Sequence, residues 1–140
     1  QLIEEGGNLI HMNGPVVAEE AVKRMTEFTE LALEKGGVKA GDLLLMVPHQ
    51  ANLALIQGVA KNLNFPMEKV IVNINTMGNT SAAAIPAAMR DAYDGGRLVP
   101  DELIAMCSFG AGMNWGAAVI PLAGLPSQEQ GSKVNIFTGH

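Results

Sequence analysis

Leu43-Leu44-Leu45-Met46-Val47-Pro48-His49-Gln50-Ala51-Asn52 decides the fold class. An uncharged apolar run, entered from Asp42 and closed by Pro48, suits a parallel strand covered on both faces. Residues 51–63 (ANLALIQGVAKNL) then return to helical spacing, which places His49 just past the carboxyl end of a strand and just before a helix. Ligands bind at that edge in open α/β sheets. A histidine there also serves as a helix cap or a corner filler, and position alone leaves both roles open.

Upstream, residues 16–35 carry Val17, Ala21, Met25, Phe28, Leu31 and Ala32 at helical spacing and stop at Gly36-Gly37. Downstream, Val70-Ile71-Val72 predicts a second buried strand over 69–73. A helix over 79–93 follows Asn75-Thr76-Met77-Gly78, with Asn79 at its N-cap and Gly95-Gly96 at its end. Pro86 inside that helix is expected to kink it or to remove a hydrogen bond. Its small residues suit a helix sandwiched between layers. Strands over 102–108 and 114–121, joined by Gly110-Ala111-Gly112, complete the order α-β-α-β-α-β-β. No repeat or linker divides residues 1–140, so the chain reads as one α/β domain with a polar, loosely held tail over 124–140. Its opening, Gln1-Leu2-Ile3-Glu4-Glu5-Gly6-Gly7, reads as the interior of something longer.

Composition narrows the function. The chain is 48% hydrophobic and only 16% charged over 140 residues, against about 25% charged in typical globular domains. Nine basic against 14 acidic residues give a net charge of −5, which argues against a nucleic-acid binder, since phosphate binding needs a basic stripe. A single Cys107 excludes an internal disulfide and fits a reducing, cytoplasmic compartment. No apolar run reaches about 18 residues, so no membrane span is expected. No His and acid positions repeat at metal-ligand spacing, so no metal is expected. The 8 Met are explained as gap fillers of the core, and His140 as a solvated terminus.

Two further segments carry possible chemistry. In Gly78-Asn79-Thr80-Ser81-Ala82-Ala83 the Asn is either a helix cap or a polar group at the sheet edge. Phe109-Gly110-Ala111-Gly112 is either a tight connection or a turn whose small side chains leave backbone N–H groups open to a substrate.

Taken together and in order, HQAN at 49–52, GNTSAA with Asn79 30 residues after His49, FGxG at 109–112 and WGAA at 115–118 resemble the C-terminal half of 3-ketoacyl-ACP synthase III. The resemblance runs from Ile10-His11-Met12-Asn13-Gly14 to about Leu122. It implies one half of a five-layer αβαβα thiolase-like fold, a mixed sheet with a central small-residue helix. It also implies an acyltransferase that starts fatty-acid chains, with no cofactor beyond CoA and pantetheine thioesters as substrates. His49 and Asn79 match the family's catalytic His and Asn. Ala111 matches the turn residue whose backbone N–H faces the acyl-enzyme oxyanion, a site where a methyl group requires negative φ. Gly14, Ala51 and Asn52 match positions that line the pantetheine arm, and His11 is expected to orient its loop. The chemistry implied for the pair is physically coherent: malonyl decarboxylation leaves charge on a thioester oxygen, which calls for two donors that keep their protons. A neutral imidazole Nε2–H and an amide NH₂ are such donors, with the imidazole Nδ1 accepting from a backbone N–H.

The resemblance further implies partners: an N-terminal half carrying the nucleophilic Cys, an acyl-CoA, malonyl-ACP or malonyl-CoA, and a homodimer of the full enzyme. Cys107 lies where the family keeps no reactive thiol and is read as structural, so this chain alone is expected to be incomplete and inactive. Pro15 stands where an amide side chain is common. Of the positions matching basic carrier-docking residues, Glu19, Ala54, Lys61 and Asn62, only Lys61 is basic. The net charge opposes an acidic carrier, so a CoA thioester competes as extender. Two other functions fit the same residues: a non-catalytic thiolase-like partner that binds acyl-thioesters, and a related condensing enzyme of secondary metabolism.

Overall fold

The computed structural model describes residues 13–125. A long helix α1 (Gly14–Gly36) opens on Gly14 and Pro15, whose fixed φ suits the first turn. It ends as Gly37 turns left-handed at φ 64°, while the Val38 N–H returns to the Leu33 carbonyl at 3.0 Å. Ala21, Met25, Thr29 and Leu33 fall on one face and are buried. Strand β1 (Leu43–Pro48) follows, then helix α2 (Leu53–Asn62), capped by the Asn52 side chain, which accepts the Leu55 N–H at 2.8 Å. Strands β2 (Leu103–Gly110) and β3 (Asn114–Pro121) end the described fold.

The sheet has the order β1-β2-β3, with β1 parallel to β2 and β2 antiparallel to β3 from Leu103↔Pro121 to Gly110↔Asn114. A register shift between Leu43 and Leu45 turns Leu43 and Met46 toward α1 and α2, while Leu45 and Val47 face the opposite layer. That layer is helix α4 (Ala84–Asp94), which buries Ala84, Ala88 and Ala92 at intervals of one turn. The β1 strand is thus covered on both faces, as its unbroken apolar run predicts. Met25 and Met46 lie in the core, but Met67, Met77 and Met113 are exposed, so gap filling does not account for them.

Three expectations are corrected. Residues 69–73 do not form a ladder strand; Val70 makes one parallel bridge to Met46, and the Ile71 N–H reaches the Met46 carbonyl at 2.9 Å. Beyond that point the buried Gln50 side chain occupies the Ile71 carbonyl and the Asn73 N–H, groups a neighbouring strand would use. The helix expected over 79–93 starts late: a 3₁₀ turn (Ser81–Ala83) leads into α4, and a short helix α3 (Ile74–Met77) forms ahead of it, where none was expected. Asn79 caps none of them, because its Oδ1 is taken by the Ser81 N–H at 3.0 Å and Ser81 itself is left-handed at φ 54°. Pro86 is the third residue of α4, where the N–H has no helical partner in any case, so it costs no hydrogen bond. His11, His140 and residues 126–140 of the tail lie outside the described residues.

Candidate active site

His49, Asn79 and Ala111 come from three different connections, yet all leave the sheet at one edge. Pro48 pairs with Cys107 in the parallel β1–β2 ladder, and the His49 N–H donates to the Cys107 carbonyl at 2.8 Å. The imidazole therefore emerges at the carboxyl end of β1. The 70–72 segment runs parallel to β1 on its other side, so the α3 connection carrying Asn79 starts from the same edge. Strand β2 continues past Cys107 to Gly110, and Ala111 follows in the turn to β3.

His49 is half-buried, and its pKa is lowered from the ordinary 6.5 because burial penalises the imidazolium. The neutral ring has one N–H donor and one acceptor nitrogen. The backbone N–H expected at Nδ1 is not found: among the described residues no hydrogen bond reaches the imidazole, and the ring is placed by its backbone and its surroundings. Asn79 is exposed, with Oδ1 engaged by Ser81. One acceptor site of Oδ1 is thus filled, and Nδ2 keeps both of its donors.

The Ala111 turn is built from its neighbours. Asn114 Nδ2 donates to the Ala111 carbonyl at 3.0 Å. Gly112 adopts φ +136°, and a Cβ there would overlap the Asn114 amide, so glycine is required at that point. A Cβ on Gly110 meets nothing, so the turn depends on one glycine. Positive φ among the described non-glycine residues is confined to Asn64, Ser81 and Asp101, so Ala111 keeps negative φ and its methyl group is accommodated. Trp115, stacked on Phe109 at 6.4 Å and edge-on to Phe28 at 6.0 Å, ties the turn end of the hairpin to α1.

Ala51 and Asn52 lie at the entrance of α2, and Gly14 opens α1. A groove of about 630 Å³ between these helices is lined by Asn52, Ala54, Leu55 and Asn62 on one side and Ala18, Glu19, Val22 and Thr26 on the other. Asn52 spends its oxygen on the α2 cap, leaving Nδ2 toward other partners. Cys107 is 1% exposed, and burial pushes its thiol up to about 11, with Thr29 pulling slightly the other way. A thiol so raised is a poor nucleophile at neutral pH. Among the described residues no group of His, Cys, Asp and Glu could hold a metal ion, and no helix is long and apolar enough to cross a membrane.

One residue of the edge has no role in the sequence reading. Gln50 is 0% exposed and makes four hydrogen bonds: Nε2 to the carbonyls of Pro48 (2.9 Å) and Ile71 (3.0 Å), Oε1 from the N–H groups of Asn73 (3.0 Å) and Ile74 (3.2 Å). The available signal was a long polar side chain two residues past the end of a run buried on both faces.

The crystal structure of 3-oxoacyl-[acyl-carrier-protein] synthase III from Aquifex aeolicus matches with a TM-score of 0.79 at 44% identity, over 80% of this chain and 36% of that one. The priming beta-ketosynthase of the R1128 polyketide biosynthetic pathway matches with a TM-score of 0.73 at 32% identity, over 81% of this chain and 34% of its own. The α/β/α arrangement is thus the C-terminal part of a thiolase-like fold. The family model for the 3-oxoacyl-[acyl-carrier-protein] synthase III C terminal matches residues 33–122, and the chain belongs to that family. The beta-ketoacyl-[acyl-carrier-protein] synthase III of Symbiobacterium thermophilum is 43% identical over 120 residues, 86% of this chain and 36% of that protein. The chain spans about a third of the length of the curated relatives it matches.

Proposed function

We propose that this chain is the C-terminal catalytic part of a condensing enzyme that joins an acyl-CoA primer to a malonyl thioester by decarboxylative Claisen condensation, starting a fatty-acid chain. The primer is carried as a thioester on a cysteine of the N-terminal half, with release of CoA. The malonyl thioester then loses CO₂, and the electron pair of the broken C–C bond becomes an enolate. Its carbon attacks the acyl thioester, and the cysteine leaves as thiolate from a 3-ketoacyl product.

The observation that carries the reading is the polarity of the edge. Burial favours the neutral His49 ring, which keeps one N–H that it does not give up as an acid, and Asn79 keeps both Nδ2 donors while Ser81 engages its oxygen. Donors that keep their protons are what the enolate oxygen requires, each worth roughly 2.7–4 kcal/mol in comparable sites. The Ala111 N–H serves the acyl-enzyme oxyanion, and Gly14, Ala51 and Asn52 flank the pantetheine arm. The groove at α1 and α2 presents Glu19 and Glu27 against one Lys23, so an acidic carrier would meet net repulsion there, which favours malonyl-CoA over malonyl-ACP as extender. The complete enzyme works as a homodimer in the cytoplasm and needs no cofactor. The likeness to a priming ketosynthase of a polyketide pathway favours secondary metabolism as the second reading.

The test is turnover of acetyl-CoA and malonyl-CoA by the purified chain, alone and after addition of the N-terminal half. Product only in the mixture is expected. Turnover by the chain alone, abolished in Cys107→Ser, would overturn both the half-enzyme reading and the structural role of Cys107. Replacing malonyl-CoA by malonyl-ACP separates the two extenders.

A further inference from the structure

Gln50 uses its full hydrogen-bonding capacity inside the protein, two donors and two acceptor sites, so it has nothing left for a substrate. What it does instead is join two segments. The Pro48 carbonyl it binds belongs to the peptide bond that leads into His49. The Asn73 and Ile74 N–H groups it accepts open α3, which carries no cap of its own and leads to Asn79. The connection extends further, because Asn73 Nδ2 donates to the Asp91 carboxylate on α4 at 2.7 Å. Asn79 lies between Ile74 and Asp91 in the chain, so both flanks of its loop are tied, through one saturated amide, to the peptide preceding His49.

We infer that Gln50 is a positioning residue that sets the separation of His49 and Asn79. Resting on the reading of that pair as enolate-stabilising donors, it assigns to Gln50 the precision of the donor geometry, not a contact with the substrate. Gln50→Met keeps the length of the side chain and removes all four hydrogen bonds. Gln50→Glu keeps the two acceptor contacts and turns a carboxylate toward the Pro48 and Ile71 carbonyls.

The experiment uses the complete enzyme with malonyl-CoA and acetyl-CoA. In Gln50→Met, kcat for malonyl decarboxylation is expected to fall by roughly 10²-fold, the size expected for an ångström-scale misplacement, with KM and acylation of the nucleophile unchanged. Combined with His49→Ala, it should add no further loss, since it acts through the pair. A folded Gln50→Met enzyme decarboxylating within twofold of the parent, or losses that multiply in the double variant, would overturn the inference. If Gln50→Met fails to fold, the crystal structure of Gln50→Glu decides: an unchanged His49–Asn79 separation overturns the proposal, and an altered one supports it. Failure of the underlying reading shows elsewhere, as full decarboxylation by His49→Ala and Asn79→Ala alone, and leaves the structural comparison of Gln50→Glu standing as the measure of Gln50.

Discussion

The His49 N–H and the Cys107 carbonyl meet at 2.8 Å through main chain, while the Cys107 side chain turns into the core that also holds Met25, next to Thr29 of α1. The only thiol of the chain is therefore next to the proposed donor in the ladder and yet faces away from its chemistry. Native Cys107 should resist a thiol reagent that labels it at once in denaturant. Cys107→Ala should cost about 1 kcal/mol of stability, in the usual range for a small core truncation, and leave condensation by the complete enzyme intact. Loss of condensation in a folded Cys107→Ala enzyme would speak against a structural thiol.

The same burial makes stability depend on alkali. The unfolded thiol ionises near 9.0 and the folded one near 11. Between these values the folded state holds a proton that the unfolded state has lost, so stability falls as pH rises through that window. The loss approaches the order of 2–3 kcal/mol at its upper end. Urea midpoints measured from pH 8 to 11 should fall more steeply for the parent than for Cys107→Ala; parallel curves would exclude this origin.

His49 shifts in the opposite sense. Its folded pKa lies below 6.5, so the unfolded chain takes up a proton first and stability declines as pH falls below that value. Decarboxylation should for the same reason persist to more acidic pH than an ordinary imidazole allows. An acid limb at or above 6.5 in the complete enzyme, absent from His49→Gln, would show that the ring is not kept neutral by burial.

His49→Ala and Asn79→Ala should each lower malonyl decarboxylation in the complete enzyme by about 10²–10³-fold, as removal of one oxyanion donor does elsewhere. Acylation of the nucleophile should continue, because it draws on the thiol and the turn at Ala111. Mass spectrometry of the acylated variants checks this. Absence of acylation in both, with the fold intact, would mean that the roles are assigned wrongly.

Gly112→Ala tests the turn. The added methyl group must displace the Asn114 amide at a φ that side chains avoid, so acylation should slow while decarboxylation at His49 and Asn79 is spared. Ala111→Gly should be nearly neutral. The acylation rate under single-turnover conditions distinguishes the two variants.

Much of this architecture is legible in local pattern. The apolar run of β1, the spacing in α1 and α2, and the paired strands around Gly110-Ala111-Gly112 all fall close to where periodicity places them. The stretch from 69 to 94 is less legible, for two physical reasons. Asn79 competes for a backbone N–H two residues on and diverts the chain from helix, and Gln50 reaches more than twenty residues ahead to take ladder bonds from 71–73. Local periodicity carries no trace of a side chain arriving from another segment. The site shows the same limit: His49, Asn79 and Ala111 each admit a bland structural role singly, and their joint spacing, matched to a family, is what singled them out.

Trp115 is the only tryptophan of the chain, and it sits between Phe28, Phe109 and, at 4.9 Å, the Arg24 guanidinium. The protein thus carries its own optical reporter at the point where α1 grips the hairpin. Any event that loosens the turn at Ala111, whether unfolding, docking of the N-terminal half or entry of an acyl thioester, changes the polarity around one indole. Its emission can then be followed without a dye or a label, giving the hairpin a spectral signature separable from the rest of the molecule.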